Sequence, residues 1–171
     1  MKTTLSIVLI GLLTFVFSIP SHGQNSTDKQ IKNRNMSQKV QYINPDGLSK
    51  NPAFSQVVIT QGKGKTIYVG GQNAVNAQGE IIGKGDIAEQ TEQVMKNLQT
   101  ALSASGATFD NLIKLSIFIV QGQDLSRGFQ ASRKYLGTLK NPPAITGIFV
   151  AALAHPDYLV EVEAVAFIPE E

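Results

Sequence analysis

Two carboxylates stand inside a stretch that otherwise has the composition of a buried β-strand. Residues 159–166 read LVEVEAVA and contain Glu161 and Glu163. Strand side chains alternate between faces, so residues two positions apart point in the same direction. The two carboxylates therefore form either a solvent-facing stripe or part of a functional site. If they form a site, a cation is expected to face them, and a metal ion is the less favoured candidate.

Other polar residues could contribute to such a site. His155 and Asp157 lie in a loop, AHPDY, that leads into the strand carrying Glu161, and each is either a surface residue or an acid or base at the edge of a cleft. Arg133 lies in a predicted helix, where a solvated position is the default. A phosphate cradle at GG (70–71) is disfavoured because no further glycine pattern follows it, and close backbone approach at a strand end explains the pair better.

The composition argues against nucleic-acid binding and thiol chemistry. The chain has 171 residues, a formal net charge of +2 and no cysteine. A nearly neutral chain without a run of Lys or Arg offers no basic surface for a phosphate backbone. Without cysteine there is neither a disulfide nor a thiol nucleophile. Beyond the first 23 residues the only histidine is His155, so a histidine triad would depend on it.

The N-terminus has the pattern of a secretory signal peptide. Lys2 precedes an apolar run at residues 5–19, and Ser21 and Gly23 supply small residues for a cleavage site. The run is shorter than the roughly 20 residues that span a bilayer, which disfavours an uncleaved membrane anchor. We therefore predict a signal peptide at residues 1–23.

Cleavage would leave one domain behind a polar segment. Residues 24–38 have no apolar period and are predicted to be a flexible linker. Residues 39–171 are predicted to form a single folded domain. Export places this domain in the periplasm or outside the cell, with no stable membrane association after cleavage.

Strands and helices alternate along the predicted domain. Asp86 is a good N-cap for an apolar helical period at 87–102, with Glu89 in capping-box position and Gly106 after its end. Asp124 can cap a second helix, which ends before the prolines at 142–143. Two short runs separated by QGKGK, 56–60 and 66–69, predict a hairpin. The remaining strands are predicted at 39–43, 112–120, 144–153 and 158–168.

This order predicts an α+β fold with a mixed β-sheet. Helices interleaved with strands, and hairpins at each end, favour two helices packed on one face of the sheet. The opposite face would then lack a helical cover. It would either meet water or be buried in an oligomer.

Four stretches resemble the RidA/YjgF family, also called Rid or endoribonuclease L-PSP-like. They are IYVGGQ (67–72), GDIAEQTEQVMKNLQTAL (85–102), NPPA (141–144) and LVEVEAVA (159–166). The resemblance runs from about residue 40 to 168. It implies a chorismate-mutase-like fold and a homotrimer with small-molecule clefts between subunits. It also implies, for the best-known members, hydrolysis of 2-imino acids to 2-keto acids and ammonia without a metal or another cofactor.

The catalytic pattern implied by the resemblance is only partly present. Glu161 corresponds to the glutamate that helps position the attacking water. The arginine that clamps the substrate carboxylate falls at Ile145, and the cysteine two residues beyond it at Gly147. A planar guanidinium holds a carboxylate by two parallel hydrogen bonds, which isoleucine cannot replace.

Other expected cleft residues are also altered. The serine of the usual SGQ motif is Gly70, whereas Gly71 and Gln72 are kept. A tyrosine frequent at the start of the second strand is matched by Phe54. Together with Ile145, we expect Gly70, Gly71 and Phe54 to line the substrate cleft.

Three functions follow as hypotheses. The first is a divergent Rid protein whose cleft binds a small organic ligand but has lost the usual deaminase. The second is an imine deaminase that uses a substitute cation, for which Arg133 is one candidate. The third, a ribonuclease or translation inhibitor, is disfavoured by neutral charge and predicted export.

Overall fold

The computed structural model describes residues 39–170. The predicted signal peptide and linker lie outside the described residues. Along the chain the strands and helices are β1 (Val40–Ile43), β2 (Val57–Thr60), β3 (Gly64–Gln72), α1 (Ile87–Ala104), β4 (Leu112–Val120), α2 (Leu125–Leu136), β5 (Ala144–Val150) and β6 (Val160–Pro169), with a 3₁₀ turn at Phe109–Asn111. None of the helices in the described part is long and apolar enough to cross a membrane.

The main sheet is mixed, as predicted. Its strand order is β3-β6-β4-β5, with β6 antiparallel to both β3 and β4, and β4 parallel to β5. Parallel neighbours need a crossover connection, and helix α2 supplies it between β4 and β5. The apolar stripe of α1 packs on one face of this sheet and includes Val94, Leu98 and Leu102, which are fully buried. The helices therefore lie on one face and leave the other uncovered.

The predicted hairpin between residues 56–60 and 66–69 is wrong. Strand β2 pairs antiparallel with β1 in a separate two-stranded sheet, whereas β3 pairs with β6. Gly62 does adopt a positive φ of 79°, so a turn forms where the sequence indicates one. Burial favours β6 as the pairing partner of β3, because pairing with this central strand buries Ile67 and Val69 in the core.

Helix α1 begins and ends where the sequence predicts. The Asp86 side chain accepts hydrogen bonds from the backbone N–H groups of Ala88 and Glu89. The reciprocal half of a capping box is not made, because the Asp86 N–H donates to the carbonyl of Gly83. Gly106 has φ of 76°, the left-handed conformation common after a helix C-terminus.

Candidate functional site

The predicted water-positioning glutamate lies against the predicted glycine of the cleft. Strand β3 has a register shift between Val69 and Gln72, so Gly70 and Gly71 form an irregularity beside β6. A Cβ atom built on Gly71 would lie 2.0 Å from Oε1 of Glu161 and 2.6 Å from its Cδ. A side chain at position 71 would displace the Glu161 carboxylate, so glycine leaves this carboxylate the space that it occupies.

The second glutamate lines a depression on the uncovered face of the sheet. This depression has a volume of about 260 Å³ and is bordered by Glu163, Lys114, Ser116, Tyr68 and Gly70. Ser116 is paired directly opposite Glu163 on the neighbouring strand. Tyr68 is 80% exposed. The depression therefore combines apolar strand residues with a carboxylate and an ammonium group.

Lys114 supplies a cation at this depression. It is two positions from Ser116 on β4, and its ammonium group donates a hydrogen bond to the hydroxyl of Thr146 on β5. It is not among the site residues predicted from the sequence. Its signal was available, since it is the only charged residue in the apolar strand LIKLSIFIV and a charge in such a strand requires either solvent or a partner.

Phe54 and Ile145 belong to a different part of the molecule. Ser55 is buried; its hydroxyl donates to the carbonyl of Pro142 at 2.6 Å, and its N–H donates to that of Pro143 at 3.0 Å. These bonds tie the segment carrying Phe54 to the residues directly before β5. Ile145 is half-buried and packs against the apolar core.

Within one chain, Ile145 and Glu161 lie on opposite faces of the sheet. Ile145 is paired with Leu115, and Leu115 is paired with Ala164, so these three residues share the core face. Glu161 is paired with Phe118 and is three positions from Ala164. Because side chains alternate, it points to the uncovered face. The structure therefore brings Glu161 together with Gly71 but separates it from Ile145.

A buried glutamine fixes the loop that leads into β6. The side-chain amide of Gln90 on α1 donates to the carbonyl of Asp157 at 2.7 Å, and its oxygen accepts from the N–H of Leu159 at 2.8 Å. Gln90 is completely buried. It thereby holds the backbone in position at Leu159, two residues before Glu161.

The polar residues of this loop have local partners. Nδ1 of His155 accepts the N–H of Asp157 at 3.1 Å, and its ring lies 5.2 Å from that of Tyr158. Asp157 pairs with Lys84 at 2.9 Å, and the hydrogen bond from this ammonium group lowers the pKa of the carboxyl group. Neither residue contacts Glu161 through a hydrogen bond or ion pair in the described structure.

The remaining candidate charges do not form a metal centre. Within residues 39–170 no group of three or more His, Cys, Asp or Glu side chains could hold a metal ion. Arg133 is exposed on α2 and lines a separate depression of about 200 Å³ with Pro52 and Ala53. That depression borders the segment carrying Phe54.

The chain belongs to the endoribonuclease L-PSP family, the RidA/YjgF family of the sequence analysis. The family model matches residues 47–168, nearly the whole described domain. A solved Rid family protein of unknown function, YyfB from Yersinia pestis, has a TM-score of 0.68 at 32% identity. The match covers 77% of this chain and 100% of the Yersinia chain. The predicted family and fold are therefore confirmed.

Curated relatives include proteins named for imine chemistry. A RutC family protein of Pyrococcus horikoshii is 32% identical over 105 residues, covering 61% of this chain and 80% of its own length. The human 2-iminobutanoate/2-iminopropanoate deaminase is 30% identical over 113 residues, covering 66% of this chain and 78% of its own.

Proposed function

We propose that this chain is a Rid protein with a small-molecule cleft that has diverged from the carboxylate-clamping deaminases. The observation that carries this proposal is Ile145. It stands where the resemblance expects the clamping arginine, and its side chain packs against the apolar core. A hydrogen bond to a charged group contributes about 1.5–3 kcal/mol, so its loss weakens carboxylate binding roughly 10- to 100-fold.

The cleft in this proposal is shared between copies of the chain. A ligand on the Glu161 face of one sheet cannot also touch Ile145 of the same chain, because the sheet separates them. Two copies can supply one residue each, as the homotrimer implied by the resemblance would allow. The uncovered face, with exposed Tyr68 and Ile148, supports assembly through this side.

Glu161 is the residue proposed to act on a bound ligand. Its carboxylate is placed by the gap at Gly71 and can orient a water molecule. Gly70 and Gly71 would line the same half of the cleft, and Phe54 with Ile145 the other half. An apolar second half favours a ligand with an apolar or aromatic portion over a small anionic imino acid.

The second candidate is a 2-imino acid deaminase with a substitute cation. The observation that favours it is Lys114, which lies on the same face of the sheet as both glutamates. An ammonium group binds a carboxylate as a point charge, without the paired geometry of a guanidinium. Lys114→Gln should abolish imine hydrolysis under this candidate, whereas Lys96→Gln, at an exposed position on α1, should not.

Imine hydrolysis by the purified protein separates the two candidates. A 2-imino acid is generated in situ, and its loss is followed with the wild type, Ile145→Arg and the uncharged control Ile145→Gln. The divergent-cleft proposal expects an inert wild type and activity only in Ile145→Arg. A wild type that works well above the rate in water would favour the substitute cation, and Lys114→Gln then tests it.

Export remains part of the proposal. Reactive imino acids arise mainly from cytosolic pyridoxal-phosphate enzymes, so a periplasmic or secreted copy would need another source of substrate. This favours a ligand other than the family's imino acids. Mass spectrometry of the N-terminus after expression tests it: a chain beginning near residue 24 supports cleavage, and a chain that retains residues 1–23 contradicts it.

A further inference from the structure

An apolar cavity lies beneath helix α2, apart from the residues of the proposed cleft. Its volume is about 200 Å³. Its floor is formed by core residues of α1 and the sheet, among them Met95, Val160 and Val162, which are at most 3% exposed. Gly70, Gly71, Phe54, Ile145 and Glu161 do not line it.

The helix over the cavity is packed unevenly. Gly128 brings α2 close to α1, since a Cβ atom there would lie 3.3 Å from the Thr91 hydroxyl and 3.4 Å from Cγ1 of Ile87. Helix α2 nevertheless has no buried residue, although Leu125, Phe129 and Leu136 share a face directed at the sheet. Leu125 and Phe129 are 45% and 58% exposed and form the mouth of the cavity.

The lining contains two hydroxyl groups. Thr91 is 7% exposed, and its hydroxyl oxygen lies 3.3 Å from the place of a Cβ atom on Gly128. The other lining hydroxyl, on Ser132, donates to the carbonyl of Phe129 at 2.9 Å. None of the lining residues carries a charge. The Thr91 hydroxyl can donate to or accept from a polar group of a ligand in the cavity.

We propose that this cavity binds a small uncharged aromatic molecule with one hydrogen-bonding group, of the size of phenol. The cavity volume indicates the size of the ligand, because an apolar cavity of about 150 Å³ in another protein accommodates benzene. The uncharged lining disfavours a carboxylate inside the cavity, where it would lose its hydration without a compensating partner. The Thr91 hydroxyl accounts for the single polar group.

Methionine methyl groups provide a direct readout. The chain is labelled with ¹³C-methyl methionine, and the Met95 resonance is followed during titration with phenol, benzene and benzoate. Phenol and benzene should shift it saturably, whereas benzoate should not. Thr91→Val, which keeps the shape and removes the hydroxyl, should weaken phenol about 3- to 10-fold and leave benzene unchanged.

Matched variants locate the site. Ser132→Leu should fill the cavity and abolish the response to phenol, whereas the exposed Ser103→Leu on α1 should not change it. Glu161→Gln and Ile145→Gln should leave phenol binding intact, which keeps this proposal independent of the proposed function.

Three results would overturn the proposal. They are a Met95 resonance that phenol and benzene do not shift, benzoate binding as tight as phenol binding, and phenol binding that survives Ser132→Leu. If Ser132→Leu fails to fold, Thr91→Val decides: equal losses for phenol and benzene, or none, overturn it.

Discussion

The carboxylate of Glu161 occupies the space that a side chain at position 71 would take. Oε1 lies 2.0 Å from the place of a Cβ atom on Gly71, far inside any contact distance. Glu161 belongs to the central strand β6, and Gly71 to an irregularity of the edge strand β3. The two positions are therefore coupled by volume, so a change at one is felt at the other.

Gly71→Ala should displace the Glu161 carboxylate and lower the free energy of unfolding by at most about 1 kcal/mol, because this carboxylate ends a flexible, partly exposed side chain that can move aside. Gly70→Ala is the matched control, because a Cβ atom there meets nothing within 4 Å and neither glycine has a positive φ. Urea denaturation measures both. The double variant Gly71→Ala/Glu161→Ala should recover stability relative to Gly71→Ala alone. Equal losses for the two single variants would contradict the coupling.

A shared cleft predicts complementation between inactive copies. Wild type lacks the arginine, and the double variant Ile145→Arg/Glu161→Gln lacks the glutamate, so neither should hydrolyse a 2-imino acid alone. Subunits refolded together should regain activity, since one copy brings the arginine and its neighbour brings Glu161. Mixing without refolding is the control. Native mass spectrometry verifies that mixed assemblies form, and Ile145→Arg alone serves as the active reference. Mixed assemblies that stay inactive would contradict the shared cleft, because the arginine and Glu161 would then act within a single chain or not act together.

Gln90→Leu should lower the free energy of unfolding by about 2–4 kcal/mol. It leaves the carbonyl of Asp157 and the N–H of Leu159 without their partner, and each unsatisfied buried group costs about 1–3 kcal/mol. Gln99→Leu, at an exposed position on the same helix, should change it by less than about 0.5 kcal/mol. Thermal and urea unfolding check both. A small effect at position 90 would mean that water replaces these bonds.

Stability should fall in acid as Glu92 becomes protonated. The hydrogen bond from Lys134 holds the pKa of Glu92 below its ordinary value, assisted by Lys96 and Tyr135. The folded state then binds fewer protons than the unfolded state. This contribution is full above the ordinary glutamate pKa of about 4.3 and is lost as pH falls through the lowered folded value.

The measurement is the free energy of unfolding between about pH 5 and pH 3. Glu92→Gln should be less stable than wild type near neutral pH and should lose less stability over this window. Glu170→Gln removes an exposed carboxylate that has no ion pair in the described structure, so it should keep the wild-type slope. Identical slopes for wild type and Glu92→Gln would show that the contact with Lys134 contributes nothing.

The regular elements of the fold could be predicted from local patterns. Strand β4 (Leu112–Val120) and the start of α1 agree with the sequence analysis because an unbroken apolar run and a capping aspartate act within a few residues. The partner of β2 could not be predicted in this way. Turn residues fix where the chain bends, but burial against the distant strand β6 decides which strands pair.

The geometry of the site was less accessible from the sequence. Alternation predicts that Glu161 and Glu163 share a face. It cannot relate that face to the one occupied by Ile145, because the relation depends on the register of three strands. The contact between Glu161 and Gly71 also arises from a strand irregularity that no local motif specifies. Lys114, by contrast, is detectable from the sequence as a charge in an apolar strand.

The most direct test of the divergent cleft is the affinity for a 2-keto acid, the stable product of the family's reaction. Calorimetry with 2-oxobutanoate compares wild type, Ile145→Arg and Ile145→Gln, each checked for folding by thermal unfolding. We predict that Ile145→Arg binds about 10- to 100-fold more tightly than wild type, and that Ile145→Gln resembles wild type. Wild type that binds as tightly as Ile145→Arg would contradict the account and show that another cation already holds the carboxylate.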